Sequence, residues 1–243
     1  LSNFRERKKL LKKANRHFHL SGKILLADRE YLGVKWFNLL KAHKIHFLIR
    51  LKKNTYKAAI NQAWGHSYQW IQKKVLTSKR PYKGYRKVFW LEGMSLAWIV
   101  IKNPKPDAKE PLIYLITDLD EPALRTANRY PIRWKIEHCF KYLKSNGFDL
   151  EEINLQRDAR RNLLMAIVVF SYVLSIHKGL KSYHTVRVRI FADQKTCKIE
   201  LVFRYGINQI AQHCLNWMTF LLFVTKEIRT VKHQYRSHDS IIV

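Results

Sequence analysis

The sequence has few cysteines, few acidic residues and no long uninterrupted apolar run. Its 3 cysteines are too scattered for a disulfide framework or a structural zinc site, so a reducing cytoplasm is the expected compartment. The apolar run from Leu163 to Ile176 is shorter than the roughly 20 residues that cross a bilayer. We therefore expect a buried helix there and no membrane span.

The shortage of acidic residues leaves a strong positive charge. The 243 residues include 46 Lys and Arg against 18 Asp and Glu, a formal net charge of +28. So many positive charges repel one another in a compact protein, and binding to a polyanion offsets this repulsion. We therefore expect a polyanionic partner. Apolar residues make up 47% of the sequence, which is enough for a packed core and excludes disorder of the whole chain.

The first part of the chain indicates a βαβ unit. A basic helix is expected over residues 3–18, followed by a short apolar run, Lys23–Asp28, that is typical of a strand buried on both faces. Helical spacing returns after Gly33, and His46–Arg50 forms a second apolar run. Strand, helix and strand in this order predict a parallel pair with a right-handed crossover.

Beyond residue 51 the pattern changes to β-type segments separated by polar loops, over residues 86–91, 96–101 and 111–117. We interpret them as an inserted antiparallel β subdomain. Helical spacing then predicts three helices: residues 123–147 with a boundary or kink at Pro131, residues 160–178, and residues 208–229. The predicted division of the chain is 1–51, 52–120, 121–180 and 181–243.

Asp28 is the first candidate functional residue. It follows an apolar strand at its C-terminal end, where the working groups of open α/β sheets gather. An aspartate at this position also caps a following helix, and the sequence leaves that alternative open. Glu30, two residues further, either shares the site or faces solvent.

A second group of candidates lies on the helix predicted from residue 123. With a helical rotation of about 100° per residue, four polar or amphipathic residues fall within one strip of its surface about 60° wide: Tyr130, Arg133, Glu137 and Lys144. This placement assumes that the helix continues through Pro131. Arg133 and Glu137 are also an i,i+4 pair of the kind found on any solvated helix face, which is the alternative interpretation.

The spacing Y-x2-R-x3-E-x6-K from Tyr130 to Lys144 resembles the Tyr-Arg-Glu-Lys signature of bacterial insertion-sequence transposases of the insertion-sequence-four type. The segment Leu25–Glu30 resembles the family strand that carries the second catalytic aspartate, and Gly147–Glu151 and Phe203–Gly206 also resemble family segments. The implied fold is α/β: an incomplete ribonuclease H-like core with an inserted antiparallel β subdomain and C-terminal helices.

The resemblance implies metal-dependent cleavage and strand transfer of DNA. Asp28 and Glu137 are implied to be two of three carboxylate ligands for Mg²⁺ or Mn²⁺, the hard cations that oxygen ligands prefer. Arg133 and Lys144 are implied phosphate contacts.

Further implied contacts and partners follow from the same family. Tyr130 is expected to lie against the DNA near the cleavage site, and Arg29 is expected to contact DNA. The partners are the transposon ends and the target DNA, bound by a homodimer in the bacterial cytoplasm, associated with the nucleoid.

The β insertion holds further candidates. Aromatic and basic residues alternate from Tyr82 to Lys87, with Trp90 beyond, which favours a DNA strand stacked on the rings; ordinary cross-strand pairs are the alternative. The segment Pro111–Tyr114 resembles the family segment that holds a flipped base, so Tyr114 is a candidate DNA contact. An inward strand position for Tyr114 is the alternative.

The sequence departs from the family at one point. The first catalytic aspartate of the family precedes the strand of Asp28, whereas residues 1–27 contain no aspartate. We therefore expect a truncated chain that does not transpose DNA by itself. Two alternatives remain: a basic nucleic-acid-binding module in which Asp28 and Glu137 are structural, and a nuclease with the same core.

Overall fold

The computed structural model describes residues 3–63, 68–78, 84–103, 110–144, 148, 150, 156–182, 184, 186, 188–190, 196–198, 201–237 and 241–242. Its contacts divide the chain into two compact units. The first unit comprises residues 1–135 and 239–243, and the second comprises residues 136–238. The four-part division inferred from the sequence stays a prediction.

Helices and strands follow one another along both units. The helices are α1 (Phe4–His17), α2 (Val34–Ala42), α3 (Lys57–Gln62), α4 (Tyr68–Leu76), α5 (Ala123–Arg129), α6 (Trp134–Lys144), α7 (Asp158–Ser182), α8 (Val202–His213) and α9 (Trp217–Ser237). The strands are β1 (Ile24–Ala27), β2 (His46–Leu51), β3 (Tyr85–Leu91), β4 (Met94–Lys102), β5 (Leu112–Thr117), β6 (Val188–Ile190), β7 (Thr196–Lys198) and β8 (Ile241–Ile242). Short 3₁₀ turns span Arg29–Tyr31 and Tyr130–Arg133.

The basic helix α1 begins with a capping box. The backbone N–H of Glu6 donates to Asn3 Oδ1, and the backbone N–H of Asn3 donates to Glu6 Oε2, both at 3.0 Å. These two bonds satisfy N–H groups that the first turn of a helix otherwise leaves without partners. The helix predicted over residues 3–18 is confirmed, and it buries Leu11.

The βαβ unit is confirmed as a parallel pair. β1 and β2 lie side by side in a register that places Ile24 beside His46 and Ala27 beside Ile49. The connecting helix α2 packs on them, with the ring of Phe37 stacked on Phe47 at 4.7 Å between centroids. The apolar runs that predicted these strands are therefore the buried core of the unit.

The β-type segments after residue 51 extend the same sheet. Six described strands form it in the order β3-β4-β5-β2-β1-β8, with β5 antiparallel to β2 and the β3–β4 hairpin at one edge. The hairpin turns through Glu92 and Gly93, both with positive φ, which is the two-residue turn that matches the twist of the flanking strands. The predicted insertion thus continues the sheet of the βαβ unit.

The sheet separates two apolar layers, and the second layer leads to Asp28. One layer packs against α1 to α4. The other contains Leu26 and Leu48 together with residues of α5 and Tyr130. Because side chains alternate along a strand, Asp28, two residues after Leu26, and Arg50, two residues after Leu48, continue this second layer.

In the second unit, α7 and α8 approach closely at two glycines. A Cβ atom on Gly206 would lie 1.8 Å from the carbonyl oxygen of Ser175, and one on Gly179 would lie 2.1 Å from that of Val202. Both separations are far below van der Waals contact. Glycine is therefore required at this helix crossing.

The predicted burial of the long apolar helix is wrong on one side. Val168 and Leu174 are buried, but Leu163 is 63% and Ile167 is 53% exposed. Within the described part of the chain, one helix, α7, is long and apolar enough to cross a membrane by length and composition alone. A single helix of this kind is weak evidence, because core helices of soluble proteins meet the same criterion.

Two helix boundaries also differ from the prediction. The helix expected over residues 208–229 is two helices, α8 and α9, because Asn216 caps the second one by accepting the backbone N–H of Met218 at 3.0 Å. Pro131 is a boundary, as predicted: α5 ends at Arg129 and the 3₁₀ turn precedes α6. The assumption that one α-helix carries Tyr130 through to Lys144 is therefore wrong.

Candidate active site

Asp28 lies one residue after β1 and combines two contacts. Its Oδ1 accepts the backbone N–H of Arg29 at 2.9 Å, which caps the 3₁₀ turn Arg29–Tyr31. Its Oδ2 lies 3.9 Å from Nη1 of Arg133, and the side chain is 48% exposed. The capping interpretation is thus correct for one oxygen, while the other faces a residue of the Tyr-Arg-Glu-Lys strip.

Tyr130 fixes the position of Arg133. The Nε of Arg133 donates to the hydroxyl of Tyr130 at 3.1 Å, and the guanidinium lies 5.5 Å from the centroid of that ring. Tyr130 itself is buried among the residues of α5 and β1, and burial raises the pKa of its hydroxyl. A buried, neutral phenol therefore holds the guanidinium with one nitrogen directed toward Asp28.

Two further arginines converge beside this group. Arg29 and Arg50 both donate to Oε2 of Glu110, Arg50 at 2.8 Å. Hydrogen bonding to Arg29 and the charges of both arginines hold the pKa of the Glu110 carboxyl below its usual range. The backbone of Glu110 is held as well, because its carbonyl accepts from Asn103 Nδ2 at 2.9 Å.

The sequence interpretation missed Arg50 and Glu110. A signal for Arg50 exists, since it is a charged residue inside the apolar run of β2. By strand alternation it lies on the same face as Asp28. No local signal identifies Glu110, whose role depends on pairing with residues far away in the chain.

Glu137 and Lys144 belong to the second unit. Glu137 lies in the first turn of α6 and Lys144 lies at its last residue, and both side chains are exposed. A carboxylate near a helix N-terminus and an ammonium near the C-terminus are both favoured by the helix dipole.

Tyr114 occupies the inward strand position that the sequence left open. It is 6% exposed, its ring stacks near Trp98 and Tyr68, and its hydroxyl accepts from Gln72 Nε2 at 2.8 Å. Burial raises the pKa of Tyr114 to about 12. A base could stack on this ring only if the ring left the core.

The remaining candidates are placed only in part. Trp90 is 68% exposed on β3, and Arg86 pairs with Asp120 at 2.9 Å. Glu30 is exposed. Several predicted positions lie outside the described residues: Tyr82, Lys83, Gly147, Asp149 and Glu151.

The carboxylate of Asp28 suits a hard divalent cation. Its 3.9 Å separation from Arg133 exceeds hydrogen-bond length, so lone pairs of Oδ2 remain for a ligand. Among the described residues, no three His, Cys, Asp or Glu side chains form a group that could hold a metal ion. The described residues thus place one carboxylate of suitable chemistry, that of Asp28, beside Arg133.

Comparison with known proteins identifies the family of the chain. A family model described as transposase DDE domain matches residues 5–174, which includes Asp28, Arg133 and Glu137. The chain belongs to this family. No curated protein matches the chain significantly. A DDE transposase domain acts on DNA in transposition, as a nuclease and transposase, and proteins of this family generally use divalent metal ions.

Proposed function

We propose that this DDE transposase domain performs the metal-dependent DNA cleavage and strand transfer of an insertion sequence with the Tyr-Arg-Glu-Lys signature. The observation that carries the proposal is the contact between Arg133 and Asp28. Arg133 lies next to a carboxylate, and its Nε is fixed by a buried tyrosine. Its remaining N–H groups are therefore oriented to donate to a phosphate that lies beside a metal-binding carboxylate.

Asp28 and Glu137 would hold the divalent ions, Mg²⁺ or Mn²⁺. The bound ions would activate the attacking hydroxyl and stabilise charge on the phosphodiester oxygens. Support for the two ligands comes from the match of the family model and from the spacing of the motif.

The other motif residues would act on the DNA. Arg133 and Lys144 would contact phosphates, Arg133 through its planar fork and Lys144 as a point charge. Tyr130 would act through Arg133, because its ring is buried. The formal charge of +28 would draw DNA to the surface, and two copies of the chain would act on two transposon ends in the bacterial cytoplasm.

One observation favours a different function. Asp28 caps the 3₁₀ turn, so a purely structural role for it is chemically complete. In that case the chain would be a basic DNA-binding module whose charge alone provides affinity.

Calorimetric titration of the full chain with Mn²⁺ distinguishes the enzyme from the DNA-binding module. In the enzymatic case, Asp28→Asn and Glu137→Gln each weaken Mn²⁺ binding by more than about tenfold while DNA affinity is kept or raised. Glu92→Gln, at the tip of the β3–β4 hairpin, is the matched control and should bind Mn²⁺ like the wild type. Equal Mn²⁺ binding by all four proteins would contradict the proposal and leave the binding module.

A further inference from the structure

Glu110 occupies a surface position that suits an anion from outside the chain. Arg29 and Arg50 direct their guanidinium groups at the same oxygen of Glu110. The side chains of both arginines are about one-quarter exposed, and that of Glu110 is about half exposed, so solvent reaches the contact. A competing anion could therefore approach the two arginines from outside.

The two arginines exceed what Glu110 can neutralise. One carboxylate faces two guanidinium groups, which leaves one positive charge uncompensated within the cluster. In addition, Nε of Arg50 is buried and has no acceptor among the described residues. Both arginines share one oxygen of Glu110. A phosphodiester spreads one negative charge over two non-bridging oxygens, so each guanidinium could receive an oxygen of its own.

The location of the cluster connects it to DNA. Arg29 directly follows Asp28, and Arg50 lies one residue beyond the β1–β2 register in which Ala27 pairs with Ile49. Arg50 also acts electrostatically on Tyr130, which holds Arg133. A DNA strand that reaches Asp28 would therefore meet Arg29 and Arg50.

We propose that Glu110 is an internal competitor for the DNA backbone: its carboxylate occupies a phosphate site formed by Arg29 and Arg50, and a DNA phosphate must displace it to bind there. The inference rests on the proposed function, because it takes DNA as the ligand. Glu110 is well suited to this role, since its backbone is fixed by Asn103 while its side chain is about half exposed, which leaves room for the carboxylate to be displaced into solvent.

The test compares DNA affinity of full-length variants by fluorescence anisotropy with a short duplex. Glu110→Gln keeps the shape of the side chain and removes its charge, so the affinity should rise about three- to tenfold, the range expected for losing two partly exposed ion pairs. Glu92→Gln makes the same change in net charge on an exposed turn and should raise affinity less than about twofold. A rise for Glu110→Gln no larger than that for Glu92→Gln overturns the inference.

The same substitution in a variant without the two arginines shows whether the rise in DNA affinity depends on them. In the double variant Arg29→Gln, Arg50→Gln, the added Glu110→Gln change should no longer raise DNA affinity. If the rise persists without the two arginines, Glu110 acts through general charge and the inference fails. Thermal unfolding of each variant shows that the comparison is made between folded proteins.

Inorganic phosphate separates failure of this inference from failure of the proposed function. Phosphate should shift the Nε–Hε resonance of Arg50 in the NMR spectrum at a lower concentration in Glu110→Gln than in the wild type. If that shift occurs while no variant binds DNA, the phosphate site stands and the transposase proposal fails. If phosphate does not shift the resonance in Glu110→Gln, the phosphate site itself is refuted.

Discussion

The guanidinium of Arg133 lies 3.9 Å from the carboxylate of Asp28, and its Nε is held by the hydroxyl of Tyr130. This arrangement joins the end of a parallel strand to a 3₁₀ turn that follows α5. Asp28 and Arg133, which are far apart in the sequence, are thus adjacent in the first unit. Tyr130 is therefore expected to position Arg133 through its hydroxyl. A variant that keeps the ring and removes only the hydroxyl measures this contribution to DNA binding.

Tyr130→Phe should therefore weaken DNA binding by about three- to tenfold, because one hydrogen bond of about 1 kcal/mol no longer orients Arg133. Fluorescence anisotropy with duplex DNA measures the effect. Tyr56→Phe, at a half-buried tyrosine of the first unit, is the control and should leave DNA affinity unchanged. If Arg133→Ala weakens binding while Tyr130→Phe does not, the hydroxyl does not position the guanidinium.

Gly206→Ala should destabilise the second unit by about 3 kcal/mol or more, because the added Cβ would lie 1.8 Å from the carbonyl oxygen of Ser175 and must push α7 and α8 apart. Urea unfolding followed by circular dichroism measures the loss. Gln212→Ala, an exposed position on the same helix, should change stability by less than about 0.5 kcal/mol. Equal stability of the two variants would show that the helices tolerate the methyl group.

Tyr114 should contribute to alkaline unfolding. Its pKa is raised to about 12 in the folded protein, from an ordinary value of 10.0, so the unfolded chain loses this proton first. The stabilising contribution is complete below pH 10 and is lost as the pH rises from about 10 through about 12. Tyr114→Phe should flatten the decline in this window, as measured by urea unfolding at increasing pH.

Gln72→Leu is the matched control for Tyr114. It removes the hydrogen bond to the Tyr114 hydroxyl and should cost about 1 kcal/mol at neutral pH. Because the ionisable phenol remains, the alkaline decline should also remain. A flat profile in Gln72→Leu would assign the decline to another group.

Glu227→Ala should loosen the attachment of α9 to α7. Glu227 is buried, its Oε2 lies 2.8 Å from His177 Nε2, and its Oε1 lies 3.6 Å from Lys181 Nζ. Removing the carboxylate takes away the negative charge that these two basic side chains face, at a cost of about 3 kcal/mol. Hydrogen exchange should therefore become faster along α9.

Asp158→Ala tests whether the faster exchange of α9 arises because the Glu227 carboxylate is buried. Asp158 pairs with Arg161 at an exposed position on α7, where such pairs contribute less than about 1 kcal/mol. Its loss should leave the exchange of α9 unchanged. Similar acceleration in both variants would mean that the Glu227 contact has no special effect.

Much of the first unit could be predicted because its signals are local. The apolar runs of β1 and β2, the cap of α1 and the break at Pro131 depend on neighbouring residues alone. The position of Asp28 at a strand end was predictable for the same reason. The division between α8 and α9 also had a local signal, the capping residue Asn216.

Other features depend on partners that no local pattern identifies. Glu110 meets Arg29 and Arg50 only because β5 folds beside β2. The apolar composition of α7 predicts burial, but composition does not state how many sides of a helix are covered. The roles of Glu137 and Lys144 in metal and phosphate binding stay predictions.

The 3₁₀ turn at Tyr130–Arg133 has a consequence for how such motifs are compared between proteins. A 3₁₀ turn advances about 120° per residue instead of about 100°, so three residues accumulate a rotation of about 60° relative to an α-helix. Two proteins with the same four motif residues at the same intervals, one with a 3₁₀ turn after the tyrosine and one with a continuous α-helix, would direct that tyrosine differently relative to the other three residues. Identical spacing along the chain does not guarantee identical azimuth in space.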